Sequence, residues 1–443
     1  MIDMILVAAV ENTTPAVTEK RETALQQSGV VHSKVAGRFE IVKKLPKEAD
    51  SFNSMFDYAD IFGKLRLAYI DSAHKISNAP KEQKHATAFG GEFGFNTASF
   101  YDFSFHLAAY TSQGINSLNP STNKRNEDFF DVNGKSFIYI AEASLDYNSE
   151  FFQTRLGRVR VDTPYANSDD IRMAPNTFEG AWINIDYTST LKTQLMYFDK
   201  WAGYDSQNEE SDELQNEFKK LIDDNSFGML GASLTYEYAK NSELSFWYNY
   251  IDSMAVIAYA EVVGIYFIDG EDFHIDYGLQ ASNIQELDDS NVDGNVLGAM
   301  AIMHYNGAFF GGAYNISYSD AYKYITDGFG GGPYYTSLDE ATLAAISEGA
   351  ATSGKSAKGN NAQAFRVGGG YEFENLGLGL DGLVVELVYG EFSNDHGKIT
   401  EKDVILTYEI SERLYAEAVY TDYRSSCNNN TFDRALVRVD YNF

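Results

Sequence analysis

A single cysteine, Cys427, leaves this chain without an intramolecular disulfide. That says nothing about its redox compartment, because a large sheet closed on itself holds without staples. Long apolar runs are missing too. No stretch approaches the roughly 18 consecutive apolar residues of a membrane-spanning helix, and mean hydropathy is negative. Basic residues are few, 34 against 64 acidic, for a formal charge of −30. So negative a chain is a poor partner for a nucleic-acid backbone. The length of 443 residues would ordinarily suggest two or three domains, but large barrels break that rule.

What the chain has instead is an aromatic share of 14%, mostly 31 Tyr and 30 Phe, with 36 Gly. These residues are dispersed in short alternating runs with Val and Thr, which points to β-structure. In "YDFSFHLAAYT", Tyr101, Phe103, Phe105, Leu107 and Ala109 share a face opposite Asp102, Ser104 and His106. "FIYIAEASLDY" sets Phe137, Tyr139, Ala141, Ala143, Leu145 and Tyr147 against Glu142, Ser144 and Asp146. "FHIDYGLQAS" and the final "RALVRVDYNF" repeat the pattern, the latter ending at Phe443. Segments of about ten residues alternating in this way are the signature of a transmembrane β-barrel.

A soluble sandwich also alternates, so connection lengths decide. Long links are expected near 71–85, 111–136, 161–178, 201–226, 283–295, 319–362, 393–402 and 424–432. Short ones are expected near 96–99, 148–150, 188–190, 239–243, 269–272, 306–308, 374–382 and 411–413. One exception, near 252–256, is short where a long link is due. Nine outer loops and eight inner turns make an all-β, antiparallel barrel of about 18 strands, with short periplasmic turns and long extracellular loops.

Parity leaves residues 1–57 as an N-terminal extension and 58–443 as the barrel, so "SKVAGRFEIVKK" (33–44) stays outside despite its strand-like pattern. The start, "MIDMILVAAVENTTPA", resembles the end of a secretion signal but lacks a basic leading region, and is either a remnant or a mature N-terminus. "TEKRETALQQSGVV" is a short-helix candidate, as is the polar segment 205–224. In the loop 319–362, "SLDEATLAAISEGA" predicts a helix opened by Ser337 and Glu340 and stopped by Gly349. That loop is long enough to fold over the mouth.

The basic residues are the first candidates for function. Lys64 and Arg66 oppose Leu65, Leu67 and Tyr69; Arg366 and Arg438 likewise oppose apolar neighbours. Charge at the lipid midplane costs about 2–4 kcal/mol, so these side chains and Glu142 belong to the lumen. Arg155 shares that face, and a bulge at Gly157 would turn Arg158 and Arg160 inward as well. These charges either merely solvate a pore wall or form one side of a constriction. The segment 161–178 supplies the other side, with Asp162, Asp169 and Asp170, if it folds inward. A transverse field would then orient dipolar solutes.

"RLGRVRVDTPYANSDDIRMAPNTFEGAWINIDY" (155–187) resembles the OprD-type outer-membrane porins, especially the major outer-membrane proteins of epsilonproteobacteria. The resemblance implies an 18-stranded barrel, assembled as a homotrimer, whose third loop folds into the lumen. It also implies a basic wall, here Arg155, Arg158, Arg160 and Arg172, facing the acids of that loop. Solute-specific members favour carboxylate-bearing solutes, whereas an acidic mouth favours cations. The expected partners are ions and small polar solutes in the pore, and outer-membrane lipids and lipopolysaccharide around it.

Two loops offer hard oxygen ligands for Ca²⁺, Asp169-Asp170 and Asp288-Asp289 with Asp293. The second lacks a bidentate Glu, and solvated acidic loops are common, so no cofactor is expected. The seven His show no paired spacing, which leaves Zn²⁺ unsupported. His106 beside Asp102 and His274 beside Asp276 suggest a hydrolase only weakly, since no nucleophile elbow accompanies them. The expectation is therefore a cation-preferring diffusion porin, not an enzyme. A surface adhesin barrel, closed by the 319–362 loop, is the alternative.

Overall fold

A computed structural model describes residues 48–443 apart from 78–79, 208–213, 270–272, 374–377 and 428, together with the backbone of Val17–Glu19 and Ile41–Lys43. Ile41–Lys43 pairs with Val17–Glu19 and not with the barrel. The signal-like start and most of the 18–31 helix candidate lie outside the described residues; Thr18 and Glu19 are extended.

Eighteen antiparallel strands close on themselves. The first six are β1 (Asp60–Lys75), β2 (Glu82–Asn96), β3 (Phe103–Gly114), β4 (Phe137–Asn148), β5 (Phe152–Val159) and β6 (Thr177–Asp186). Next come β7 (Leu191–Ala202), β8 (Met229–Ala239), β9 (Ser242–Ile251), β10 (Ala255–Asp269), β11 (Phe273–Glu286) and β12 (Gly294–Tyr305). The circle ends with β13 (Ala308–Tyr318), β14 (Ala362–Phe373), β15 (Leu383–Asn394), β16 (Gly397–Ser411), β17 (Leu414–Ser425) and β18 (Asn430–Asn442). β18 pairs with β1 from Thr431↔Lys75 to Asn442↔Lys64, so no edge strand remains to be satisfied.

Alternation sets the two faces. On β1, Leu65, Leu67 and Tyr69 project outward and exposed, whereas Arg66, Ala68 and Ile70 are buried. Outward apolar side chains meet lipid, and the polar set lines the interior. Two phases differ from the sequence pattern. A bulge at Ala141 shifts the β3–β4 register, pairing Ala108 with Glu142 but Ala109 with Ile140. Phe137 and Tyr139 therefore share the inner side with Glu142, while Ala143, Leu145 and Tyr147 face out. At Gly157 the expected bulge is absent. Its pairing with Ser144 and with Gly180 is continuous, so Arg158 falls on the face opposite Arg155.

Parity holds, but the length rhythm is less regular than the sequence suggests. β15 and β16 extend to a tight turn at Asp395–His396, so no long loop exists near 393–402. The long connections are 115–136, 160–176, 203–228 and 319–361, referred to below as L2, L3, L4 and L7. In L4 the described residues hold a single 3₁₀ turn, Tyr204–Ser206. L7 carries helix α2 (Leu343–Thr352), capped by Thr342, whose side chain accepts from Ala345 N. The helix thus begins after the expected Ser337 start and runs past Gly349; Ser337–Glu340 is committed to the barrel wall instead.

At the short-turn end, helix α1 (Phe52–Asp57) packs Met55 against Ala98. The amide of Ala98 donates to Met55 O at 2.9 Å, and Phe56 stacks on Phe105 at 6.4 Å. Gly157 is one of the strand positions that leave no room for a side chain. It has φ +131, and a Cβ would lie 2.2 Å from Ala143 O. Gly157→Val is expected to cost about 1–3 kcal/mol from backbone strain alone. The folded, heat-modifiable fraction on a denaturing gel should fall, with Leu156→Val, facing lipid, as the neutral control. Equal folding of the two variants would show that β5 adapts.

Candidate functional site

L3 leaves the sheet after Val159 because Asp162 and the residues after it make their own structure. Asp162–Thr163 pairs with Ala166–Asn167 as a miniature hairpin. The Asp162 carboxylate is consumed inside the loop, accepting from Ser168 N (3.0 Å) and Ser168 Oγ (2.6 Å). Tyr165, fully buried, reaches the far wall and lies 2.6 Å from Ser282 Oγ on β11. L3 also joins L7, where Asn167 N donates to Phe329 O (2.9 Å).

The loop is then pinned by Asp170. Its carboxylate, with no exposed surface, lies 2.6 Å from Lys64 Nζ and 2.6 Å from an Arg66 nitrogen, both on β1. Arg160 approaches it at 3.7 Å, and Arg438 on β18 donates to the Asp170 backbone carbonyl at 2.6 Å. Arg66 in turn binds Asp440 (2.7 Å), and Arg438 binds Glu417 (2.8 Å). Burial by itself would push the Asp170 carboxyl up. Arg66, Lys64 and Arg160 outweigh it and hold Asp170 well below the usual carboxylate range.

A second ionic cluster adjoins the first. Arg172, at the exit of L3, binds Asp128 of L2 (3.0 Å) and Glu340 of L7 (3.4 Å), with its guanidinium 4.9 Å above the Tyr204 ring. Arg434, on β18, binds both Asp339 and Glu340. The Glu401 carboxylate on β16 accepts from the amides of Glu340 (3.0 Å) and Ala341 (2.7 Å). Arg366 on β14 donates to the carbonyls of Ser337 (2.8 Å) and Tyr335 (3.3 Å). L7 is therefore drawn inside the barrel beside L3. Burial raises the Glu340 carboxyl despite the pull of Arg434. In Asp339 the opposing attraction of Arg434 and Arg172 prevails, and its carboxyl is lowered.

Of the residues singled out in the sequence, Lys64, Arg66, Arg160, Asp170, Arg172 and Arg438 converge. Arg155 lines the lumen wall elsewhere, 3.7 Å from Asp146. Glu142 pairs with His106 (3.2 Å) and accepts from Tyr110 (2.6 Å). Asp169 sits near Gly331 of L7, not among the arginines. Arg158 is not in the cluster. It bonds Glu179 (3.0 Å) and Ile140 O (3.0 Å) and lies 4.2 Å from the Phe218 ring, with Lys200 completing the row at 3.2 Å from Glu179. Sequence reasoning missed Asp128, Asp339, Glu340, Glu401 and Arg434. Only Arg434 carried a signal, sharing a strand face with Arg438 and Asp440.

Neither acidic loop proposed for Ca²⁺ gathers three metal-capable side chains among the described residues. Asp170 is occupied by cationic side chains. The histidine expectation needs correcting, since β11 and β12 place His274 opposite His304. Spacing along the chain cannot reveal a cross-strand pair.

A family profile described as outer membrane porin, OprD family, matches residues 66–442. Among solved structures, Pseudomonas aeruginosa OpdK with vanillate gives a TM-score of 0.70 at 16% identity, covering 88% of this chain and 99% of that one. A BenF-like porin from Pseudomonas fluorescens Pf-5 gives 0.71 at 14%, with coverages of 88% and 99%. For Pseudomonas aeruginosa OpdQ the values are 0.68 at 15%, again with 88% and 99%. Comparison with curated proteins returned no match. At these identities the structures testify to the fold, while the profile, spanning nearly the whole barrel, carries the kinship. The chain belongs to the OprD family of porins and is a passive channel of the bacterial outer membrane, not an enzyme.

Proposed function

We propose that this porin admits small polar solutes through a constriction between L3, L7 and the wall formed by β18, β1 and β2, and that it prefers cations. The observation that carries this is the pairing of the basic wall. Arg66, Arg438, Arg172 and Arg434 each bind carboxylates within the lumen, so little positive charge remains uncompensated. Glu142 adds a further buried carboxylate on the lumen wall, and the chain as a whole is strongly acidic. Fixed negative charge in a low-dielectric passage raises the local cation concentration. The likeness of residues 155–187 to epsilonproteobacterial major outer-membrane proteins supports the same mixed-charge arrangement. The vanillate in the OpdK structure suggests aromatic carboxylates as the solutes to test against this preference.

Reversal potentials across planar bilayers in a KCl gradient should report cation selectivity; a clear anion preference would overturn the proposal. Arg160→Gln should strengthen that selectivity, because its guanidinium lies in the lumen only 24% exposed beside Asp170. Arg158→Gln should leave it unchanged, since its side chain lies on the other face of β5. Equal responses from the two variants would mean that Arg160 does not line the path.

The anchor at Asp170 sets a pH limit. Its carboxyl is depressed below the ordinary 3.8, so its stabilising contribution is present above that value and lost only as pH falls toward the lower one. Single-channel conductance should therefore stay quiet from neutral pH down to about 4 and become noisy below it. Asp170→Asn should show the noisy state already at neutral pH. Noise that begins near pH 6 in the unmodified protein would point to a different anchor.

A further inference from the structure

We propose that His274, Asp276 and His304 form a binding site for a divalent transition ion of the zinc type, on the lumen wall at the short-turn end. The site lies apart from the constriction and does not depend on how L3 works. His274 and Asp276 are two residues apart on β11, so alternation sends both to the same face. His304 on β12 is the direct cross-strand partner of His274, and diagonal neighbours in an antiparallel pair remain within reach of long side chains. Three ligands thus meet at one corner of the sheet. Their donor atoms all lie within 4.8 Å of one another.

The spacing suits a small ion. Zinc sits about 2.0–2.2 Å from imidazole nitrogen or carboxylate oxygen, and tetrahedral angles then separate the ligand atoms by roughly 3.3–3.5 Å. Here His304 Nε2 lies 3.4 Å from one Asp276 oxygen and His274 Nε2 lies 3.8 Å from the other. Coordination requires the two rings to turn so that both Nε2 lone pairs converge on the ion. The imidazoles are stacked, with centroids 4.4 Å apart and planes 9° from parallel. Phe309 and Phe267 flank them at 5.8 Å each. Asp276 is 1% exposed and the histidine side chains 13% and 14%, so the carboxylate and His304 Nε2 are sheltered while the rings stay partly exposed.

The donor set chooses the metal class. Two imidazoles and one carboxylate favour zinc, nickel or copper, whereas Ca²⁺ and Mg²⁺ ask for all-oxygen shells. Three protein ligands leave one position for water, and a bound ion would tie β11 to β12 beside the solute's exit. The rival explanation is a structural histidine pair that shares Asp276 and binds no metal.

Untagged, chelator-washed protein folded in detergent micelles should be titrated with Co²⁺, following the visible absorption of the bound ion, and with Zn²⁺ by calorimetry. One saturable ion per chain is expected, with Zn²⁺ displacing Co²⁺. His304→Gln and Asp276→Asn should each weaken binding by more than about tenfold. Heat modifiability and far-UV circular dichroism confirm that both variants remain folded barrels. Absence of saturable binding, or uptake that both folded variants retain unchanged, would overturn the assignment. Imidazole signals that move with pH but not with Zn²⁺ would identify the histidine pair instead.

Discussion

Asp170 is a carboxylate taken wholly out of water, and the shape of the lumen depends on how that cost is met. Desolvating one such ion costs several kcal/mol, recovered only where opposite charge and hydrogen bonds surround it closely. Lys64 and Arg66 on β1 supply both, Arg160 adds to them, and Arg438 fixes the adjoining carbonyl. The strands that supply Arg66 and Arg438 are the two whose pairing closes the barrel. Barrel closure and the inward fold of L3 therefore support each other. A β1 slipped by one residue would turn Arg66 toward lipid and leave Asp170 buried without its partners.

Withdrawing a loop into the lumen opens the wall it leaves. β4 pairs with β5 only as far as Ala143↔Arg158, yet β4 itself runs on toward Phe137. Arg158 spans that seam, reaching Ile140 O and Glu179 beneath the Phe218 ring of L4. Two arginines two positions apart in the chain thus do different work. Arg160 adds to the Asp170 anchor, and Arg158 holds the seam that the loop's withdrawal creates.

L7 obeys the same rule as L3. Its polar turn, Ser337–Ala341, has unsatisfied backbone groups wherever it is buried, and the wall provides partners of matching kind. Arg366 donates to the Ser337 carbonyl, the Glu401 carboxylate accepts from the Glu340 and Ala341 amides, and Arg434 pairs with the two acids. Charges on several strands and three loops form one network, in which each member is stabilised by others from distant parts of the chain. So dense a set of shared contacts holds L3 and L7 firmly against the wall.

The sequence alone determined the class of fold, because a period of two and a short/long parity are local properties that a membrane imposes on every hairpin. Strand number, the direction of β18 and the lumen-facing placement of Lys64, Arg66, Arg366 and Arg438 all follow from it. The acids of L3 were legible through a contiguous motif, though not their division of labour, with Asp162 bracing the loop and Asp170 anchoring it. Tertiary structure decided what depends on register and on distance. A single extra residue at Ala141 reversed the faces of Phe137 and Tyr139, and the missing bulge at Gly157 sent Arg158 outward. Arg434 meets Asp339 and Glu340, and His274 meets His304, only because strands and loops far apart in sequence are neighbours around a closed sheet. No spacing rule along one chain encodes such encounters.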